Sequence, residues 1–228
     1  MICSMLPRVL EPEVMDGPEE ARDYDAMDHT EVNARFVADF LAVHGPCRGG
    51  LILDLGTGTA RIPIELCRRD PAARVVGVDL AEAMLELARG HVEAAGLAER
   101  ITLRRADAKH AEAPDRRCYE AVLSNSIVHH IAEPGSVLAA MLAAVAPGGT
   151  VFVRDLARPG SRSELDRLVE RYAGQEPEPA RLLFAASLQA ALTVDEMCSQ
   201  LRSLGIRDPD VRMTSDRHWT WTWKAPAT

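Results

Sequence analysis

The chain has 228 residues, 47% of them apolar, which is enough for one domain or at most two around a real core and excludes disordered, collagen-like and coiled-coil classes. With 26 basic against 34 acidic residues, its net charge of −8 argues against a protein whose main task is to coat nucleic acid or an anionic membrane. Five scattered cysteines (Cys3, Cys47, Cys67, Cys118 and Cys198) form no C-x-x-C pair, so neither a zinc ribbon nor a disulfide framework is expected. Reduced thiols and the lack of an apolar leader before Pro12 point to the cytoplasm. The longest near-apolar run, Val137–Ala146, is too short to span a bilayer, so no membrane partner is expected.

The stretch up to about Glu20 is rich in Pro and acids, and the first helix is expected over Glu31–Val43, stopped by His44-Gly45-Pro46. Short apolar runs at Leu51–Leu55, Arg74–Asp79, Ile101–Ala106, Ala121–Asn125 and Thr150–Arg154 then alternate with helical segments at Ala60–Arg69, Ala81–Ala95 and Pro134–Ala146. Continuous rather than alternating apolar runs mark strands covered on both faces, and their alternation with helices predicts a parallel sheet with right-handed crossovers. Past Pro159 the rhythm changes to helices near Arg162–Tyr172, Ala180–Ala191 and Thr193–Leu204, the last with a Thr193/Glu196 capping box. A terminal hairpin of Val211–Thr214 and His218–Trp223 closes the chain, with Trp219, Trp221 and Trp223 at strand spacing and read as packing.

The first strand runs into Asp54-Leu55-Gly56-Thr57-Gly58, a glycine turn that lets backbone approach a ligand at the carboxyl edge of an open sheet. A dinucleotide fingerprint would need glycine where Arg61 stands, and the charge of Asp54 opposes a pyrophosphate. An acid there suits a cationic ligand instead. Asp79, at the end of the second strand in Val75-Val76-Gly77-Val78-Asp79, is placed to bond ribose hydroxyls.

On these residues the chain resembles the class I S-adenosylmethionine-dependent methyltransferases. Asp107 in Arg105-Ala106-Asp107-Ala108, the fourth-strand end Leu123-Ser124-Asn125-Ser126 and the turn Ala146-Pro147-Gly148-Gly149-Thr150 match further motifs of that family, across roughly residues 31–157. Ala60 departs from it, since many members have a third glycine there. The resemblance implies a Rossmann-like, doubly wound α/β fold with a mostly parallel seven-stranded sheet, a C-terminal antiparallel hairpin and extra lid helices. It divides the chain into an N-terminal lid and helix segment, 1–45, and a methyltransferase domain, 46–228, with a helical insertion at about 160–204.

It further implies S-adenosyl-L-methionine as cofactor. Asp54, Gly56, Thr57 and Gly58 would hold the methionine end, Asp79 the ribose, and Leu80 and Met84 would flank the adenosine. Asp107 and Ala108 would read the adenine, and Asn125 would approach from the fourth strand. The fourth-strand turn lacks the N/D-P-P-Y/F pattern of enzymes that methylate base amino groups, so a small-molecule acceptor is expected and nucleic acid is not.

His129 and His130 follow that strand and are candidate general bases, with packing as the alternative. No metal is expected from this pair alone, because adjacent side chains rarely converge and no third ligand is evident. Arg154 and Asp155, at the end of the fifth strand, are candidate substrate contacts, Arg154 suiting a carboxylate or phosphate, with pairing to neighbouring groups as the equal alternative. Tyr24, in the segment Asp23–His29, is a candidate lid residue beside the sulfonium; the plainer reading is a lead-in to the helix capped by Asp25 or Asp28. The helices from Arg162 to Leu204, with Phe184 and Met197, suit a substrate pocket or a homodimer interface. Two rivals are a methyltransferase-like protein that binds cofactor or partner without catalysis, and a nicotinamide-dependent oxidoreductase.

Overall fold

The computed structural model describes residues 6–11, 17–27, 29–110 and 118–227. Asp28 and Cys3 lie outside the described residues. Seven strands form one sheet: β1 (Leu51–Leu55), β2 (Arg74–Asp79), β3 (Ile101–Arg105), β4 (Tyr119–Asn125), β5 (Val145–Leu156), β6 (Asp210–Met213) and β7 (His218–Lys224), in the order β3-β2-β1-β4-β5-β7-β6. β1 lies between β2 and β4 and is parallel to both, with Asp54 facing Gly77 on one side and Leu123 on the other. The C-terminal strands run antiparallel, as the resemblance implied. β1 and β2 are buried almost throughout, which the unbroken apolar runs predicted, whereas edge strand β3 leaves Arg104 and Arg105 exposed.

The helices are α1 (Pro18–Ala26), α2 (Thr30–His44), α3 (Arg61–Arg69), α4 (Glu82–Ala94), α5 (Pro134–Ala144), α6 (Arg162–Ala173), α7 (Glu178–Ala190) and α8 (Val194–Ser203). The Thr193/Glu196 capping box forms, Thr193 Oγ1 accepting the Glu196 N–H at 3.2 Å and Glu196 Oε2 accepting the Thr193 N–H at 2.9 Å. Two elements differ from expectation. The segment ahead of α2 is itself a helix, α1, started by Pro18 at its first turn and by a Glu20 carboxylate that bonds the Gly17 N–H. β5 begins at Val145, before the Gly148-Gly149 turn, because Gly148 donates to the Ala225 carbonyl and Ala225 to that of Gly149, so backbone pairing reaches into the turn.

The chain divides into two compact units, each discontinuous in sequence. The described residues of 14–125, 136–153 and 222–228 form one, with a core in which Phe36 meets Phe152 edge-on at 5.1 Å beside Phe40, Ile52 and Ala121. Those of 1–13, 126–135 and 154–221 form the other, with Leu156, Leu165, Leu168 and Leu188 clustered. Trp219 and Trp221 are fully buried in this second unit, and Trp219 Nε1 donates to the Leu192 carbonyl at 3.2 Å. Each such ring removes about 150–250 Å² from water, worth roughly 4–6 kcal/mol.

Candidate active site

The turn after β1 is held by backbone. The Gly56 and Thr57 N–H groups both donate to the Val78 carbonyl, at 2.8 and 3.0 Å, and φ is +73° at Gly56 and +53° at Gly58. A side chain is strained at such angles, which accounts for the glycines. Gly77 on β2 serves the same turn differently, because a Cβ there would lie 2.6 Å from Thr57 Oγ1. Ala60, where the family favours glycine, also sits at a left-handed φ of +61° and is fully buried. That conformation costs an L residue about 1–2 kcal/mol, partly offset by burying its methyl.

Two acids, Asp54 and Asp79, stand at the turn, and a third, Asp107, follows β3. Asp54 is 2% exposed; burial pushes its carboxyl up to about 7, the Asp79 charge adds to the shift, and Thr57 opposes it. Asp79 is half-buried: its Oδ2 accepts the Gly58 N–H at 2.8 Å and its Oδ1 the Ala81 N–H at 3.0 Å. Asp107 stands before a short 3₁₀ turn, Ala108–His110, where its Oδ1 accepts the Lys109 N–H at 2.9 Å. Burial works against its charge, but Lys109 and His110 outweigh burial and hold its pKa below the usual range.

A pocket of about 380 Å³ opens beside the turn, lined by Gly56, Thr57, Gly58, Asn125, Tyr24 and His29 among others. The Gly58 Cα faces open space, with nothing within 4 Å of where a Cβ would stand. Tyr24 reaches this pocket from α1, its ring 5.0 Å from that of His29. Burial raises the Tyr24 phenol pKa, and the charges of Asp79 and Asp25 add to the effect. The next residue, Asp25, pairs with Arg61 at 3.0 Å and His91 at 2.8 Å, pinning the end of α1. Met84 packs with Ala21, Ala81 and Tyr24, and half-buried Leu80 follows Asp79. Asp54, Asp79, Leu80, Met84, Asp107 and Ala108 are not among the residues that line the pocket, whereas Gly56–Gly58, Asn125 and Tyr24 are.

The other unit holds a second cluster, in the turn that follows β4. Ser126 leads into it at a φ of +59°, an uncommon conformation for a non-glycine residue, and a 3₁₀ turn, Val128–His130, follows. Asp155 is completely buried beneath it: one oxygen takes the Val128 N–H at 2.6 Å and the other lies 2.5 Å from His129 Nδ1. Burial opposes charge on both members of this pair. Their mutual attraction prevails, lowering the Asp155 pKa and raising that of His129.

Glu11 completes the cluster, its Oε1 lying 3.4 Å from His129 Nε2 and 3.2 Å from His130 Nδ1. Sequence reasoning missed Glu11, since no motif or spacing ties it to the two histidines. Arg154 is 5% exposed and donates from Nε to Thr220 Oγ1 at 2.9 Å.

Residues 52–149 match the family described as "Methyltransferase domain". Over that stretch the chain is similar to methyltransferase domains. It is 31% identical, over 115 residues, to the ubiquinone/menaquinone biosynthesis C-methyltransferase UbiE of Geobacter sulfurreducens, covering 50% of this chain and 44% of that protein. The chain spans about half the length of the curated relatives it matches. Its fold is that of a putative S-adenosyl-L-methionine-dependent methyltransferase from Methanococcus maripaludis, with a TM-score of 0.72 at 16% identity, covering 96% of this chain and 98% of that one. It is also that of the plantazolicin methyltransferase BpumL in complex with SAH, with a TM-score of 0.71 at 14% identity over 90% and 88% of the two chains.

Proposed function

We propose that the protein is a methyltransferase that uses S-adenosyl-L-methionine to methylate a small-molecule acceptor by direct displacement. The observation that carries this reading is the pairing of an open glycine turn with a buried acid, Asp54, that has no ion-pair partner among the described residues. A ligand bearing an ammonium and a sulfonium suits that acid and a pyrophosphate does not, so the residues present fit the cofactor. When bound, the cofactor supplies an activated methyl group. Asp54 and the Gly56–Gly58 backbone hold its amino-acid end, while Asp79, already oriented by the Gly58 and Ala81 N–H groups, accepts from the ribose hydroxyls. Leu80 and Met84 flank the adenosine, Asp107 and Ala108 read the adenine, and Asn125 approaches from the end of β4.

Tyr24 and the rest of α1 act as a lid that excludes water, anchored through Asp25. Holding the acceptor in line supplies much of the rate, as bimolecular displacement gains most from positioning. Where the acceptor carries a proton, the His129–His130 pair removes it. Asp155 orients the His129 ring through Nδ1, so that Nε2, which faces Glu11 Oε1 at 3.4 Å, is the atom that takes the proton, while Arg154 and Asp155, both buried, act on the acceptor by positioning rather than by contact. Exposed Leu182 and Leu183 on α7 support a homodimer. Cys47, Cys67 and Cys198, none of them in a disulfide, support a cytoplasmic location. No helix among the described residues is long and apolar enough to cross a membrane.

Calorimetric titration of the cofactor-free protein with S-adenosylhomocysteine and, separately, NADH tests the reading. Saturable binding of the first alone is expected. Asp79→Ala should weaken it about ten- to a hundred-fold, because a hydrogen bond to a charged group is worth roughly 1.5–3 kcal/mol. Binding of NADH alone would overturn the assignment. Transfer of label from methyl-labelled cofactor into a metabolite extract then identifies the acceptor; label in the RNA or protein fraction instead would refute a small-molecule acceptor.

A further inference from the structure

We infer that Glu11, His129 and His130 form a binding site for a divalent transition-metal ion, Zn²⁺ first among them. The candidate ligand atoms of the three residues lie within 4.8 Å of one another. Metal–nitrogen and metal–oxygen bonds of about 2.0–2.2 Å place neighbouring donors about 3.4 Å apart in a tetrahedron. The separations of Glu11 Oε1 from His129 Nε2 and His130 Nδ1 are 3.4 and 3.2 Å. They lie at and beyond the long end of the 2.7–3.2 Å range of an N–H···O bond, and no donor meets Glu11 Oε1 in hydrogen-bonding geometry among the described residues. The two imidazoles do not diverge as adjacent side chains usually do. Their centroids are 4.1 Å apart at an interplanar angle of 34°, so the 3₁₀ turn brings both to one side.

The surroundings are those a metal site requires. A ligating histidine ordinarily gives its other ring N–H to a carboxylate, and His129 Nδ1 lies 2.5 Å from Asp155 Oδ1. A ligating carboxylate is itself hydrogen-bonded, and Ser187 Oγ donates to Glu11 Oε2 at 3.2 Å, leaving Oε1 to face the histidines. Glu11 is held in place by the segment that carries it, since Arg8 Nε donates to the Ala190 carbonyl at 2.6 Å and one terminal nitrogen to that of Ile131 at 3.0 Å. The Arg8 guanidinium is thus directed at backbone carbonyls on either side of the cluster. Glu11 and His129 side chains are 5% and 4% exposed and that of His130 is 19% exposed, so an ion has an approach at His130. Two imidazoles and one carboxylate form a borderline N/O set that suits Zn²⁺ and leaves a fourth position for water or an oxygen of the acceptor.

The ion would also tie the N-terminal segment to the turn after β4. Its binding does not depend on the methyl-transfer reading. If it binds, the histidines serve as ligands and proton removal passes to whatever occupies the open position.

The test uses the full, untagged chain stripped with a chelator and titrated with Co²⁺ and then Zn²⁺. Expected are one equivalent of Co²⁺ with visible d–d absorption, its displacement by Zn²⁺, and a rise in Tm on adding Zn²⁺. The near-isosteric Glu11→Gln variant should lose the absorption and the Tm rise. Absence of uptake by folded wild-type chain, or uptake unchanged in Glu11→Gln, would overturn the site in favour of a purely protonic Asp155–His129–Glu11 chain. Should Glu11→Gln fail to fold, ¹⁵N-histidine spectra of the wild type decide: Zn²⁺ must shift two imidazoles, and a shift of none or of one refutes the assignment.

Discussion

Asp54 is the residue whose chemistry is most exposed to test. Its folded pKa of about 7 lies above an unfolded value of about 3.9, so the folded state holds a proton the unfolded chain has lost. Its contribution to stability is therefore fully present below about pH 4 and disappears as pH rises through 7, a swing of about 4 kcal/mol. Asp54→Asn should remove this swing, so the variant gains on the wild type between pH 5 and 8 in urea unfolding. A cationic ligand beside the carboxylate pulls its pKa down, so S-adenosylhomocysteine should bind the wild type more tightly as pH rises from 6 to 8, with proton release. Calorimetry in buffers of different ionisation enthalpy measures that release, and Asp54→Asn should abolish it along with much of the affinity.

Among the elements, β2 and the turn above it are mechanically linked. Gly77 lets Thr57 rest on the strand, and a methyl group there must push the turn outward by the overlap at 2.6 Å. Gly77→Ala should therefore cost about 1–3 kcal/mol of stability and weaken cofactor binding as well, which unfolding curves and calorimetry together would show. A loss of stability with unchanged binding would separate Thr57 from the site.

The elements themselves were legible where local rules act. Unbroken apolar runs announced β1 and β2, and Thr193 with Glu196 announced the start of α8. The α1 helix was not legible, because its few apolar residues, such as Ala21 and Tyr24, carry too little periodicity and gain their burial from Met84 on α4. The early start of β5 escaped for a similar reason, as Gly148-Gly149 reads as a turn until Ala225 pairs with it.

For the molecule as a whole, the buried Asp155–His129 pair lies between far-separated parts of the sequence. Asp155 supports Val128, His129 and Leu156 through their N–H groups, and Glu11 adds the N-terminal segment. Asp155→Asn removes the nearer of the two carboxylates that face the buried His129 imidazole and should cost about 3–5 kcal/mol, read as a lower urea midpoint. A loss under about 1 kcal/mol would mean that the pair adds little beyond its hydrogen bonds.

The order of the strands and of the helices from α2 onward, the glycine turn, the acids at Asp54, Asp79 and Asp107, and the kind of ligand they suit could all be read from the chain in one dimension. Periodicity, turn chemistry and local charge act over a few residues and leave their mark there. The surroundings of Asp155, the burial of Arg154 against Thr220, the packing of α1 on Met84 and the arrival of Glu11 beside two histidines were decided only by folding. Each depends on a contact between segments far apart in sequence. Such contacts are set by which faces must be buried and which charges must be met, and the spacing of residues along the chain carries no record of them.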